Sequence, residues 1–284
     1  MTHGQNRSQS IWPNGAQCAV MLSFDVDAET MWLSRDPLNA RRPALLSHGT
    51  YGAKVGVPRI LDLLREFGLP ATFFVPGWTA DHHPDKVAAI LRDGHEIGHH
   101  GYLHTWPELD KPEAEEEEIV KGLEALQRVA GLKPKGYRCP AGETTDRLLP
   151  LLDKYGFLYD SSFMDDVFPY RHRLPDGRPG AVELPWHWSL DDVPYMVYSL
   201  RNPRPIQTNE HILSIWKAEF REIYRWGGLF DLINHPQAIG RPSRLALLRE
   251  FIEFVRGFPN VWFATGTQVA EAWLAHDAAR QAAE

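Results

Sequence analysis

Two carboxylates, Asp25 and Asp27, follow directly on the apolar run Ala19-Val20-Met21-Leu22-Ser23-Phe24. Residues two apart on a strand point to the same side, so both acids would project together from the strand's C-terminal end. In a parallel α/β architecture that end is where catalytic groups gather. Taken alone, the pair reads equally well as two solvated loop acids. A second constellation, His99-His100-Gly101-Tyr102-Leu103-His104, follows the short strand candidate His95-Glu96-Ile97-Gly98. His100 and His104 are four apart, a spacing that on a helical turn sets both imidazoles on one side, as two ligands of one divalent cation require. Two histidines with one carboxylate leave coordination positions open for water, as in catalytic rather than structural sites. A pair of surface histidines is the alternative. His99 is assigned to packing or to a bond supporting a ligand.

Three further stretches carry groups of the right chemistry. Arg138, in Gly136-Tyr137-Arg138-Cys139-Pro140-Ala141-Gly142-Glu143, stands at another strand end, where a guanidinium can aim a carboxylate such as Asp25 and hold it ionised. A structural ion pair is the bland reading. His235 closes the run Leu232-Ile233-Asn234, and a histidine titrating near neutrality suits protonation of a departing nitrogen. His187 lies between Trp186 and Trp188, aromatic rings that with Tyr195 and Tyr198 suit either a substrate wall or core packing. Trp188, Tyr102 and Glu143 are the expected substrate contacts.

The elements that must position these residues alternate in type. Helix signals begin at Val57-Pro58 (closed by Gly68), Pro84, Pro112, Thr145, Asn209, Ser243 and Thr267, and short apolar strands fall between them at 71–75, near 137, at 157–159, 229–233 and 261–264. Parallel strands need crossover helices, so this rhythm predicts an α/β fold, a distorted (β/α) barrel of about seven parallel strands. A polar, proline-rich stretch from Asp165 to Pro205 interrupts it. No linker composition divides the chain, which predicts one catalytic domain over 1–284 with its core at about 18–275. The acidic run Glu113–Glu118 reads as the solvated face of a helix whose first turns favour carboxylates.

The 284 residues are 43% hydrophobic and carry 30 basic against 37 acidic side chains, a net −7 that disfavours nucleic-acid binding. Cys18 and Cys139 have no positional reason to pair, which points to a reducing compartment. The polar N-terminus lacks the apolar core, about 7–15 residues, of a secretory signal. No run of about 18 apolar residues exists to span a bilayer. Together these predict a cytoplasmic protein with neither membrane nor nucleic-acid partners.

Over roughly residues 18 to 275 the chain resembles the polysaccharide deacetylase family, the NodB-homology hydrolases of carbohydrate esterase family 4. The resemblance rests on the order of Asp25 and Asp27, His100 and His104, Arg138 to Gly142, and His235. It implies that Asp27, His100 and His104 ligate the metal, that Asp25 is the general base held by Arg138, and that His235 is the general acid. Two departures, Asp-x-Asp in place of adjacent aspartates and Gly101 in place of Ser or Thr, resemble the branch with intracellular peptidoglycan-deacetylase-like proteins, cyclic imide hydrolases and allantoinase-like enzymes. That branch implies a seven-stranded barrel and a homo-oligomer. Some ring-opening relatives lack the ligands, whereas here all three are kept, which implies a metal, zinc first, with cobalt, nickel or manganese also suited to His and Asp ligands. The expected activity is N-deacetylation of an acetylated sugar or related amide. The alternatives are ring opening of a small cyclic imide or ureide, and a non-catalytic binding protein on the same scaffold.

Overall fold

A computed structural model of the protein describes residues 10–199 and 203–283. Its first strand, β1 (Cys18–Asp25), is buried along its whole length. Because side chains alternate across a strand, its two faces serve different ends. Cys18, Val20, Leu22 and Phe24 join the core packed under the helices, while Ala19 and Met21 enter a second core on the opposite face. Ser23 and Asp25 continue that second row, so the inner face turns from apolar to polar toward the C-terminal end.

The other strands are β2 (Thr72–Val75), β3 (Glu96–His99), β4 (Gly136–Tyr137), β5 (Tyr159–Asp160), β6 (Tyr170–Arg173), β7 (Pro179–Glu183), β8 (Leu229–Asn234) and β9 (Val261–Phe263). Seven of them, in the order β7-β5-β4-β3-β2-β1-β8, form the expected parallel succession. The remaining β6 adds antiparallel to β7, and β9 pairs with the start of β1. Among the described residues no ladder joins β7 to β8, so the sheet is a curled half-barrel rather than a closed one. The open side is crossed by the chain after β7, which reaches Asp191 and bridges there to Ile233 of β8.

Two segments depart from the sequence reading. The polar stretch 165–205 contains the β6–β7 hairpin, which its Tyr-Arg-His-Arg composition hides because an edge strand tolerates polar residues on its exposed face. The segment 28–56 forms the helix Pro43–Tyr51, which continues through a π-helical turn at Gly52–Gly56 into the expected helix Val57–Phe67. Glycine is required in that turn: a Cβ on Gly56 would stand 2.2 Å from the carbonyl oxygen of Pro236. The helix therefore lies directly against the loop that carries His235. Gly68 ends it at φ 64°, as its position predicted.

Candidate active site

The inner row of β1 ends in Ser23 and Asp25, and Val26 still donates its N–H to the Phe74 carbonyl, so the alternation runs on to Asp27 beyond the strand. The backbone carbonyl of Asp27 accepts from the Thr30 hydroxyl at 2.6 Å and the Thr79 hydroxyl at 3.0 Å, which fixes the residue in place. Both carboxylates point at the same histidine. His100 Nε2 is 3.7 Å from Asp25 Oδ2 and 3.5 Å from Asp27 Oδ1, and His104 Nε2 is 3.6 Å from Asp27 Oδ1.

The two histidines do not sit on a helical turn. They occupy an irregular loop after β3, bent by Gly101 at φ 69° and by His104 itself at φ 62°. What holds that loop is Glu118, on the helix Pro112–Ala130: its carboxylate accepts from the backbone N–H of Tyr102 at 3.0 Å and of Leu103 at 2.9 Å. The acidic run is therefore not simply a solvated face. Glu115 is also buried, accepting from the Thr145 hydroxyl at 2.5 Å. The periodicity of Ile119, Leu123 and Leu126 located the helix, but acids flanking that stripe fold inward onto loop amides that only the tertiary structure supplies.

His100 Nδ1–H donates to the Arg138 carbonyl at 2.8 Å, which leaves its Nε2 lone pair facing the aspartates. His99 supports rather than joins the group: its Nε2–H donates to the Ile119 carbonyl at 3.0 Å and its Nδ1 accepts from the Gly101 N–H at 3.1 Å. Burial pushes His99 down to about 3, so it remains neutral in that bonding pattern.

Arg138 is 1% exposed and uses every nitrogen. Nη1 donates to Asp25 Oδ1 and Ser23 Oγ, both at 2.9 Å, Nη2 donates to Asp231 Oδ2 at 2.5 Å and Ser161 Oγ at 2.8 Å, and Nε donates to the Ser161 carbonyl at 3.2 Å. Asp231 is the one charged residue in the buried strand β8, and that lone charge is its only signal in the sequence. One Asp25 oxygen is thus tied to the guanidinium while the other faces His100.

His235 completes the ring from the far side. Its Nε2 is 3.9 Å from Asp25 Oδ2 and 3.7 Å from Asp27 Oδ2, and its Nδ1–H donates to Asp192 Oδ1 at 2.8 Å. Asp191 and Asp192 come from the polar stretch where no role could be read from sequence, because the chain crosses the open side of the barrel only in three dimensions. Burial opposes a charge on His235, but Asp191 and Asp192 outweigh it and raise its pKa well above the ordinary value.

Asp27, His100 and His104 present one atom each within 4.8 Å of one another, all three buried. Asp27 Oδ1 and His104 Nδ1 find no hydrogen-bond partner among the described residues. Burial disfavours a charge on Asp27, but the His100 hydrogen bond and the neighbouring His235 lower its pKa, while burial lowers His104 to about 4, keeping it neutral. An ionised carboxylate with an orphaned buried oxygen and a neutral imidazole fit a divalent cation, which would compete with the proton that Asp25 and Asp27, against burial, favour on His100.

The expected substrate contacts have neighbours of their own. Trp188 is half exposed and packs edge-on against the buried Trp186, with both rings over the turn at Gly142. Glu143, next along that turn, is exposed. Tyr102 turns away from the histidines: its hydroxyl is 3.4 Å from Asp81, and its ring lies against Gly77. His187 is exposed and bonds Ser189. Cys18 and Cys139 are buried and unpaired, and no helix among the described residues is long and apolar enough to cross a membrane.

Residues 49–159 match the family model for polysaccharide deacetylase. Among curated proteins, a peptidoglycan deacetylase of Helicobacter pylori is 30% identical over 90% of this chain and 96% of its own. Among solved structures, a Mycobacterium smegmatis protein assigned to the polysaccharide deacetylases superposes with TM-score 0.88 at 44% identity, over 94% of this chain and 93% of its own. Puue allantoinase superposes with TM-score 0.83 at 26% identity, over 96% of this chain and 95% of its own. Identity sustained over almost the full length of a peptidoglycan deacetylase, on the same curled sheet, leads to one assignment: the chain belongs to the polysaccharide deacetylase family, hydrolases of carbon–nitrogen bonds other than peptide bonds.

Proposed function

We propose that the protein is a metal-dependent amidase that removes the acyl group of an N-acetylated sugar or related amide, with Asp27, His100 and His104 holding the cation, zinc first. A divalent cation at that position supplies Lewis acidity, polarising the amide carbonyl and making water easier to deprotonate. Asp25 then acts as general base. Its Oδ1 is committed to Arg138, so Oδ2 is the oxygen left to take the water proton as the carbon–oxygen bond forms. His235, kept charged by Asp191 and Asp192, gives its Nε2 proton to the nitrogen as the carbon–nitrogen bond breaks. The observation that carries this reading is the approach of Asp25 Oδ2 and His235 Nε2 to 3.9 Å beside the three ligand atoms, which sets a base and an acid on one reacting centre.

A second reading, ring opening of a small cyclic imide or ureide, is favoured by the likeness to an allantoinase over 96% of the chain. Enclosure of the centre agrees with it, since Asp25 is 4%, His104 4% and His235 6% exposed. The two readings separate on a panel of N-acetylglucosamine oligomers, cyclic imides, hydantoins and allantoin, assayed with metal-stripped and zinc-reconstituted protein. Zinc-restored release of acetate from the oligomers supports the deacetylase. Turnover of the cyclic compounds alone replaces it with the second reading, and turnover unaffected by stripping removes the metal from both.

A further inference from the structure

A second group of metal-ligating side chains lies at the edge of the sheet. Asp160 ends β5, Glu183 ends β7 and His172 is in the middle of β6, so three strands contribute one residue each. Tyr159 and Val182, the preceding residues on β5 and β7, belong to the inner core with Met21 and Phe74. By alternation Asp160 and Glu183 therefore point to the outer face, away from the catalytic group. They are register partners in the parallel ladder, which brings their carboxylates side by side.

Each carboxylate is fastened by one oxygen and presents the other. Asp160 Oδ1 accepts from the Ser162 hydroxyl at 2.5 Å, and Glu183 Oε1 accepts from the backbone N–H groups of Ser162 and Phe163, both at 2.9 Å. Glu183 Oε2 lies 2.8 Å and Asp160 Oδ2 3.9 Å from His172 Nε2. Asp160 is fully buried, and its Oδ2 has no hydrogen-bond partner among the described residues. The same arrangement marks Asp27 in the catalytic group.

We propose that Asp160, His172 and Glu183 form a second divalent-cation site, structural rather than catalytic, that pins the β6–β7 hairpin to β5. Two oxygens and one imidazole nitrogen suit a first-row transition ion such as zinc. The three ligand atoms already lie within 4.8 Å of one another. Two buried carboxylates this close, when both are ionised, carry a charge that one His cannot balance. A cation offsets that charge without protonating either acid. It also gives β6, the polar strand of the hairpin, an anchor on a strand of the main sheet.

The test is metal content, measured by elemental analysis after zinc loading and extensive dialysis. His172→Gln and Asp160→Asn are each expected to hold one zinc fewer per chain than the unmodified protein, to keep turnover, and to unfold at lower temperature. Equal zinc in all three overturns the proposal and leaves the two acids sharing a proton. A double variant, His100→Gln with His104→Gln, disarms the catalytic group and leaves the edge cluster intact. One zinc retained there supports the edge site, and none overturns it, whatever becomes of the catalytic reading.

Discussion

Asp192 clamps His235 twice. One carboxylate oxygen accepts the imidazole Nδ1–H at 2.8 Å and the other accepts the backbone N–H of the same residue at 2.9 Å. The ring and the chain that carries it are thus fixed by a single side chain, which leaves Nε2–H aimed at the aspartates. The pair makes the pH profile predictable. The general acid must be protonated, so activity is lost as pH rises through the His235 pKa, and a raised pKa extends activity to higher pH. Asp192→Asn removes a charge that raises it, and the alkaline limb of kcat/KM should move to lower pH. An unmoved limb would take His235 out of the acid role. His235→Ala should lower kcat by about 10²–10⁴-fold with zinc content in the catalytic group unchanged.

Glu118 should bear on metal affinity through the loop it holds, without being a ligand. Glu118→Ala leaves the N–H groups of Tyr102 and Leu103 without their acceptor and frees the loop between the two histidines. Loss of a partner that orients ligands weakens metal binding by roughly 10–100-fold. Competition with a chromogenic chelator measures it, and wild-type affinity in the variant would refute the role. Glu118→Gln, which keeps an acceptor oxygen, should recover part of the affinity.

Arg138 stabilises as well as orients. Arg138→Met keeps the length of the side chain but strands Asp25 and Asp231 in the interior. Removing one member of a buried charged network costs about 3–5 kcal/mol, read as a fall in the urea midpoint at constant slope. A loss below about 1 kcal/mol, typical of an exposed ion pair, would show that water reaches the network.

Gly56→Ala sets two effects against each other. In a helical backbone alanine is favoured over glycine by about 1 kcal/mol. Against that, the new Cβ meets the Pro236 carbonyl at 2.2 Å, a rigid backbone contact, and overpacking of this kind costs about 1–3 kcal/mol. The clash should win. Stability should fall, and kcat with it, because relief of the clash displaces the loop next to His235. Gly15→Ala, strained by its φ of 68° but with no atom of the described residues within 4 Å of the new Cβ, serves as the comparison for kcat.

Most of the scaffold is legible along the chain. The helices Pro112–Ala130 and Asn209–Trp226 fall where apolar spacing and caps put them, and the strand ends carry the chemistry. Asp25, Asp27, His100, His104, Arg138 and His235 stand out because charged or imidazole side chains directly after buried strands are costly unless they meet partners. Helical spacing nevertheless misleads at His100 and His104. Their convergence comes from positive-φ turns and Glu118, not from helical spacing.

Residue type and local periodicity were determined by the sequence itself: which strands are buried, which helices cover them, and which side chains can ligate or exchange protons. Those depend on neighbours within a turn or two. The partners of the functional groups were decided only by the tertiary structure. Asp231 reaches Arg138 across 93 residues, Asp192 reaches His235 across 43 and Glu118 holds the loop from the next helix. Such contacts exist because the sheet curls and the chain crosses its open side, and no local pattern encodes a meeting between segments that distant.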